Sequence, residues 1–172
     1  MERKNVITFK GSPLTLVGPE LKIGDVAPDF TVTSRELKPV KLSDFKGQTV
    51  VISVVPSLDT PVCETQTKKF NQEATSLSAK VLTISVDLPF AQNRFCSSFN
   101  IQNVQVVSDY KDREFGNKYG VWIKELGLLS RAVFVIGKDE KIQYIEIVKE
   151  VTQEPNYASA LDKVRSATLA RA

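Results

Sequence analysis

Thr49-Val50-Val51-Ile52-Ser53-Val54-Val55-Pro56, followed closely by Thr60-Pro61-Val62-Cys63-Glu64, is the stretch that decides how this chain folds. Residues 49–55 are β-branched apart from Ser53, as expected of a central strand buried on both faces, where branched side chains pack well. Pro56 ends the run, because it has no N–H to offer a sheet ladder. From Pro61 the period changes. Cys63, Thr67, Phe70 and Ala74 recur on one face while Lys68, Lys69 and Glu73 point elsewhere, which is the spacing of an amphipathic helix running to about Leu77.

Working outward, Val81–Val86 and Val104–Val107 read as further strands, and the segment between them, Leu88–Asn100, opens at Pro89 and carries Ala91, Phe95 and Phe99 at helical spacing. A helix over Arg113–Tyr119 follows. This alternation of strand and helix argues for parallel pairing through right-handed crossovers. Further on, Ala132–Ile136 and Ile142–Val148 flank Gly137-Lys138-Asp139-Glu140, a hairpin pattern that makes the sheet mixed. The last helix is expected from Asn156 to Ala172, beside Pro155, with Tyr157, Leu161, Val164 and Thr168 on its packed face. Upstream, Val6–Val17 alternates about Gly11-Ser12-Pro13 as an edge hairpin, and short strands are expected near Phe30–Thr33 and Val40–Leu42. The fold class is α/β, a mixed central sheet flanked by helices, in a single domain over residues 1–172.

A chain of 172 residues can bury roughly 70% of its unfolded surface, so it needs no disulfide scaffold. Apolar residues at 42% and charged residues at 25% are those of a globular protein and argue against disorder, collagen and coiled coil. Histidine is absent, which excludes Cys-His and Ser-His-Asp machinery, His-ligated haem and imidazole zinc sites; no cofactor or metal is expected. The net charge of +3 comes without a long basic run, so neither nucleic acid nor a charged membrane surface is indicated. No apolar stretch approaches the roughly 20 residues of a membrane span, and the N-terminus carries no targeting signature, so a cytoplasmic location is expected.

The chemistry gathers at Cys63. With Thr60 as N-cap and Pro61 as the first helical residue, Cys63 falls in the first helical turn, where unpaired N–H groups and the macrodipole favour a thiolate. Cysteines so placed titrate at about 3.5 to 7.5, against about 8.5 for a free thiol. Asp59 and Glu64 oppose this, so the site requires a cation from elsewhere, and without histidine it must be Arg or Lys. Arg131, at the start of an apolar strand, is the candidate, since a charge there is costly without a partner; the alternative is a strand-end arginine reaching solvent. Cys96 lies beside the apolar face of its helix, and on its own it reads equally as a small core residue. The two cysteines are too far apart to form a metal knuckle or a C-x-x-C pair.

Pro56, Thr60 and Cys63 resemble the Pro-x-x-x-Thr-x-x-Cys motif of the peroxiredoxins, and Gly24-Asp25-Val26-Ala27-Pro28-Asp29-Phe30 is similar to their lead-in to the first core strand. More narrowly, the opening hairpin, Pro56 to Cys63, the run Asp87–Cys96 and Ser130-Arg131-Ala132-Val133 resemble the bacterial thiol peroxidase subfamily. The resemblance implies a thioredoxin-like fold with an added N-terminal hairpin and a homodimer. It implies Cys63 as peroxidatic cysteine, Thr60 and Arg131 as its activating partners, Pro56 as shield of the pocket and Cys96 as the resolving cysteine that closes an intramolecular disulfide. It further implies small hydroperoxides as substrates, thioredoxin as reductant and a role in antioxidant defence. With each cysteine anchored in its own helix, closure of a disulfide is expected to unwind one or both first turns. Two alternatives stay open on the residues alone: a non-enzymatic interaction module with inert thiols, and a one-cysteine peroxidase resolved by an external thiol.

Overall fold

The computed structural model describes residues 1–169. In chain order the elements are β1 (Glu2–Phe9), β2 (Ser12–Val17), β3 (Thr31–Ser34), β4 (Pro39–Lys41), β5 (Val50–Val54), α1 (Pro61–Ala74), β6 (Lys80–Ser85), α2 (Pro89–Phe99), β7 (Gln105–Ser108), α3 (Glu114–Lys118), β8 (Trp122–Ile123), β9 (Leu128–Leu129), β10 (Ala132–Ile136), β11 (Ile142–Ile147) and α4 (Tyr157–Leu169). Seven strands form one mixed sheet in the order β11-β10-β5-β6-β7-β3-β4. The β5–β6 and β6–β7 pairs are parallel, while β10 runs antiparallel to both β5 and β11. The parallel pairs are those that the alternation of strands and helices points to, and the whole is the thioredoxin-like arrangement that the resemblance implies.

The chain differs from the sequence-based expectations in several places, one being that α1 ends at Ala74, short of Leu77. The hairpin turn sits one residue earlier: Phe9 pairs with Ser12, and Lys10 and Gly11 carry the turn with φ of 49° and 84°. That left-handed pair matches the twist of a two-residue hairpin, so Pro13 becomes a strand residue opposite Thr8. Nor is the hairpin an isolated edge ribbon, because β2 pairs with β8 and β8 with β9, making a second sheet of four strands. Two-residue strands are too short to show any period, which is why β8 and β9 escape sequence reading. In α4 the packed face is Ala160, Leu161, Val164 and Ala167, with Tyr157 and Thr168 only half-buried; alanines let the helix approach the sheet closely. Residues 170–172, to which that helix was expected to extend, lie outside the described residues.

Side chains alternate across a strand, and this parity builds the site. Along β5, Val50, Ile52 and Val54 enter one core layer with Phe30, Phe115 and Phe134, whereas Val51 enters the opposite layer. Along β10, Ala132, Phe134 and Ile136 join the first layer and Val133 and Val135 the second. The second layer is covered by α1, α2 and α4 and contains both Cys63 and Cys96. Arg131 has the parity of Val133 and Ser53 that of Val51. Both therefore face the helix layer that carries the cysteines.

Candidate active site

The chain leaves β5 at Val54, passes the buried Pro56 and enters α1 at Pro61, so Cys63 is the third residue of the helix. The first backbone bond of the helix runs from the Glu64 N–H to the Thr60 carbonyl at 2.9 Å. The amides of Val62 and Cys63 precede it and have no carbonyl one turn earlier to bond. Thr60 is the N-cap in backbone conformation, with φ of −130° and ψ of 149°, but its hydroxyl does not cap. It donates instead to the Ser57 carbonyl at 3.0 Å, closing the loop ahead of the helix.

Cys63 is fully buried, and Arg131 is only 2% exposed. Burying a guanidinium is costly unless its donors are occupied, and here three of its nitrogens have acceptors. Nε donates to the Val151 carbonyl at 2.8 Å, Nη1 to Gln66 Oε1 at 3.0 Å and Nη2 to Cys63 Sγ at 3.4 Å. The first two contacts fix the plane of the fork; the third aims it at the sulfur. Of the alternatives open for Arg131, reaching solvent is excluded by this burial.

Gln66 completes the arrangement and was missed by the sequence reading. It is fully buried, and its Nε2 donates to Ser53 Oγ at 2.8 Å while Oε1 receives Arg131. A signal was present: Gln66 lies three residues after Cys63, on the buried helix face, and Ser53 is the polar residue in an otherwise apolar strand. The Val151 carbonyl left no signal, because backbone acceptors are independent of residue type. The opposing carboxylates are dealt with locally. Glu64 pairs with Lys68 one turn on at 2.7 Å, and Asp59 is exposed.

Cys96 is 3% exposed, in α2, and both cysteines are free. Burial pushes the Cys96 thiol up, with the Arg35 charge acting in the opposite sense. A cleft of about 340 Å³ lies between the loop before α1 and α2, lined by Ser57, Leu58, Asp87, Arg94, Phe95 and Phe99 among others. Among the described residues no group of three or more Cys, Asp or Glu is placed to hold a metal ion, and no helix is long and apolar enough to cross a membrane.

A buried cysteine in the first turn of the helix after a central strand, with a guanidinium held against its sulfur on a thioredoxin-like sheet, defines a class of thiol redox proteins. The sequence profile of the redoxin family matches residues 22–161. The chain belongs to this family and, within it, to the thiol peroxidases. It is 52% identical to the thiol peroxidase of Halalkalibacterium halodurans over 162 residues, covering 94% of this chain and 98% of that one. To the thiol peroxidase of Bacillus subtilis it is 50% identical over 161 residues, 93% of this chain and 96% of the other. The crystal structure of a peroxiredoxin-like protein from Aquifex aeolicus superposes with a TM-score of 0.90 at 50% identity, covering 95% of this chain and 97% of that chain.

Proposed function

We propose that this chain reduces hydrogen peroxide and organic hydroperoxides, with Cys63 as the attacking thiolate. The observation that carries this reading is the Arg131 Nη2 to Cys63 Sγ contact at 3.4 Å in a site closed to bulk water. The sulfur attacks the terminal peroxide oxygen in line; an S–O bond forms, the O–O bond breaks, and two electrons pass from sulfur to the departing alkoxide or hydroxide, which takes up a proton. The product is a Cys63 sulfenic acid. Charge moves from sulfur to the leaving oxygen, so fixed donors around that path lower the barrier without reorganising. Arg131 and the first-turn amides of α1 supply them. Thr60, whose hydroxyl proton is given to Ser57, contributes its oxygen as acceptor for the hydroperoxide proton, and Pro56 shields the pocket from water.

Cys96 is the resolving thiol in this scheme. Its S–H condenses with the sulfenic acid, releasing water and forming an intramolecular disulfide, which a dithiol such as thioredoxin reduces back to two thiols. The protein acts as a homodimer in the cytoplasm and requires no cofactor. Peroxide consumption coupled to a thioredoxin system tests the assignment: Cys63→Ser removes turnover, and Cys96→Ser consumes one equivalent of peroxide and then stops. Coupled turnover in Cys63→Ser would overturn the proposal, and full turnover in Cys96→Ser would return Cys96 to the role of a core residue.

A further inference from the structure

Asp87 lies between β6 and α2, immediately before the α2 N-cap Leu88. Its carboxylate grips the loop that precedes α1. Oδ1 accepts the Ser57 hydroxyl at 2.9 Å, and Oδ2 accepts both the Leu58 N–H at 2.8 Å and the Ser85 hydroxyl at 2.7 Å. The network extends in both directions. Ser57 returns its carbonyl to the Thr60 hydroxyl at 3.0 Å, and Ser85 Oγ accepts Gln92 Nε2 of α2 at 3.0 Å. One carboxylate thus ties the approach to the cysteine helix α1 to the base of the cysteine helix α2.

The other polar ties from α1 to α2 and to the loop after α2 sit further from the first turns. Lys68 Nζ lies 4.0 Å from the Phe99 ring centroid, and Asn71 Oδ1 accepts the amides of Gln102 and Asn103 at 3.2 and 2.8 Å. Releasing the Asp87 contacts would free the Ser57–Thr60 loop and the first turn of α1 while the distal ties hold the rest of the helix in place. That is the local opening a disulfide needs, since both thiols are buried, unbonded and each fixed within its own helix.

We infer that Asp87 is a positioning residue, a carboxylate latch that keeps the Cys63 loop in its attacking geometry and whose release sets the rate of disulfide closure with Cys96. The inference rests on the proposed peroxidase reading. The latch governs a partition. A Cys63 sulfenic acid either condenses with Cys96, losing water, or stays in the closed pocket, where a second hydroperoxide oxidises it to sulfinic acid. A strong latch favours the second fate and a weak one the first.

The experiment compares wild type with Asp87→Asn and Ser57→Ala. Asn keeps the shape but replaces one acceptor by a donor that faces Ser57 or Leu58, and Ser57→Ala removes a single strut. Loss of one charge-assisted bond corresponds to roughly 10- to 150-fold in an opening equilibrium, so the sulfenic acid is expected to disappear at least about tenfold faster in Asp87→Asn, with less speeding in Ser57→Ala. Sulfinic acid per peroxide turnover, read by mass spectrometry, falls in step, and the first oxidation slows. A merely structural residue would lower the melting temperature without moving that partition. Closure rates and sulfinate yields equal to wild type in both variants would overturn the latch. If peroxide leaves Cys63 of the wild-type protein a free thiol, with neither sulfenic acid nor disulfide formed, the peroxidase reading fails instead.

Discussion

Replacing Arg131 by alanine isolates the electrostatic contribution to attack. Its Nη2 is 3.4 Å from Cys63 Sγ, with both residues almost wholly buried. At an effective dielectric of about 20, a full charge pair at that separation attracts by about 5 kcal/mol. Desolvation offsets part of this, and hydrogen bonds to charged groups retain about 1.5–3 kcal/mol net. With about 1.4 kcal/mol per factor of ten, the first oxidation is expected to slow by roughly 10- to 150-fold at neutral pH. The assay is single-turnover stopped flow with limiting hydroperoxide in a Cys96→Ser background, so that resolution does not contribute. Arg131→Lys separates charge from shape: an ammonium keeps the charge but cannot reproduce the fork held by Val151 and Gln66, and its rate should fall between the other two. A rate within about threefold of wild type in folded Arg131→Ala would refute the electrostatic reasoning.

Two further perturbations probe the surroundings of the site. Gln66→Leu leaves Arg131 Nη1 and Ser53 Oγ without their buried partner, so denaturant unfolding should show a loss of about 1–3 kcal/mol and the first oxidation should slow about three- to tenfold as the guanidinium loses its aim; an unchanged rate would show that the Val151 contact alone suffices. Asp109 is buried beneath α3, and burial pushes its carboxyl up to about 6 despite the amides of Gly116 and Phe115 that it accepts. The folded state then binds the proton more tightly than the unfolded state, so stability falls as pH rises from about 4 to about 6, by at most about 3 kcal/mol. Asp109→Asn should flatten that portion of the pH–stability curve, and an unchanged slope would discount the buried carboxyl.

What the sequence reveals and what it conceals divide along physical lines. β5 and α1 are legible because a β-branched run and a 3.6-residue period are local, and Pro56 and Pro61 mark their ends; Cys63 in the first helical turn follows from that. Arg131 is legible as a charge in an apolar context, since burial demands a partner, although which partner depends on strand parity in the folded sheet. Gln66 and Asp87 are ordinary polar residues in sequence and acquire meaning only when Arg131 and the Ser57–Leu58 loop are brought to them from distant segments. Thr60 is legible as the N-cap and Pro61 as the first helical residue, whereas the turn of the Thr60 hydroxyl to the Ser57 carbonyl shows only in the folded loop. β8 and β9 are invisible because pairing, of β8 with β2 and of β9 with β8, and not any pattern of their own, makes them strands.

The central claim is that a hydroperoxide reacts at Cys63 and the oxidised sulfur is captured by Cys96 within one chain. Adding one equivalent of hydroperoxide to the reduced protein, blocking remaining thiols and mapping the tryptic peptides by mass spectrometry tests it most directly. The account predicts that the peptides carrying Cys63 and Cys96 are recovered joined, with no covalent dimer. Recovery of both cysteines fully blocked as free thiols would contradict it.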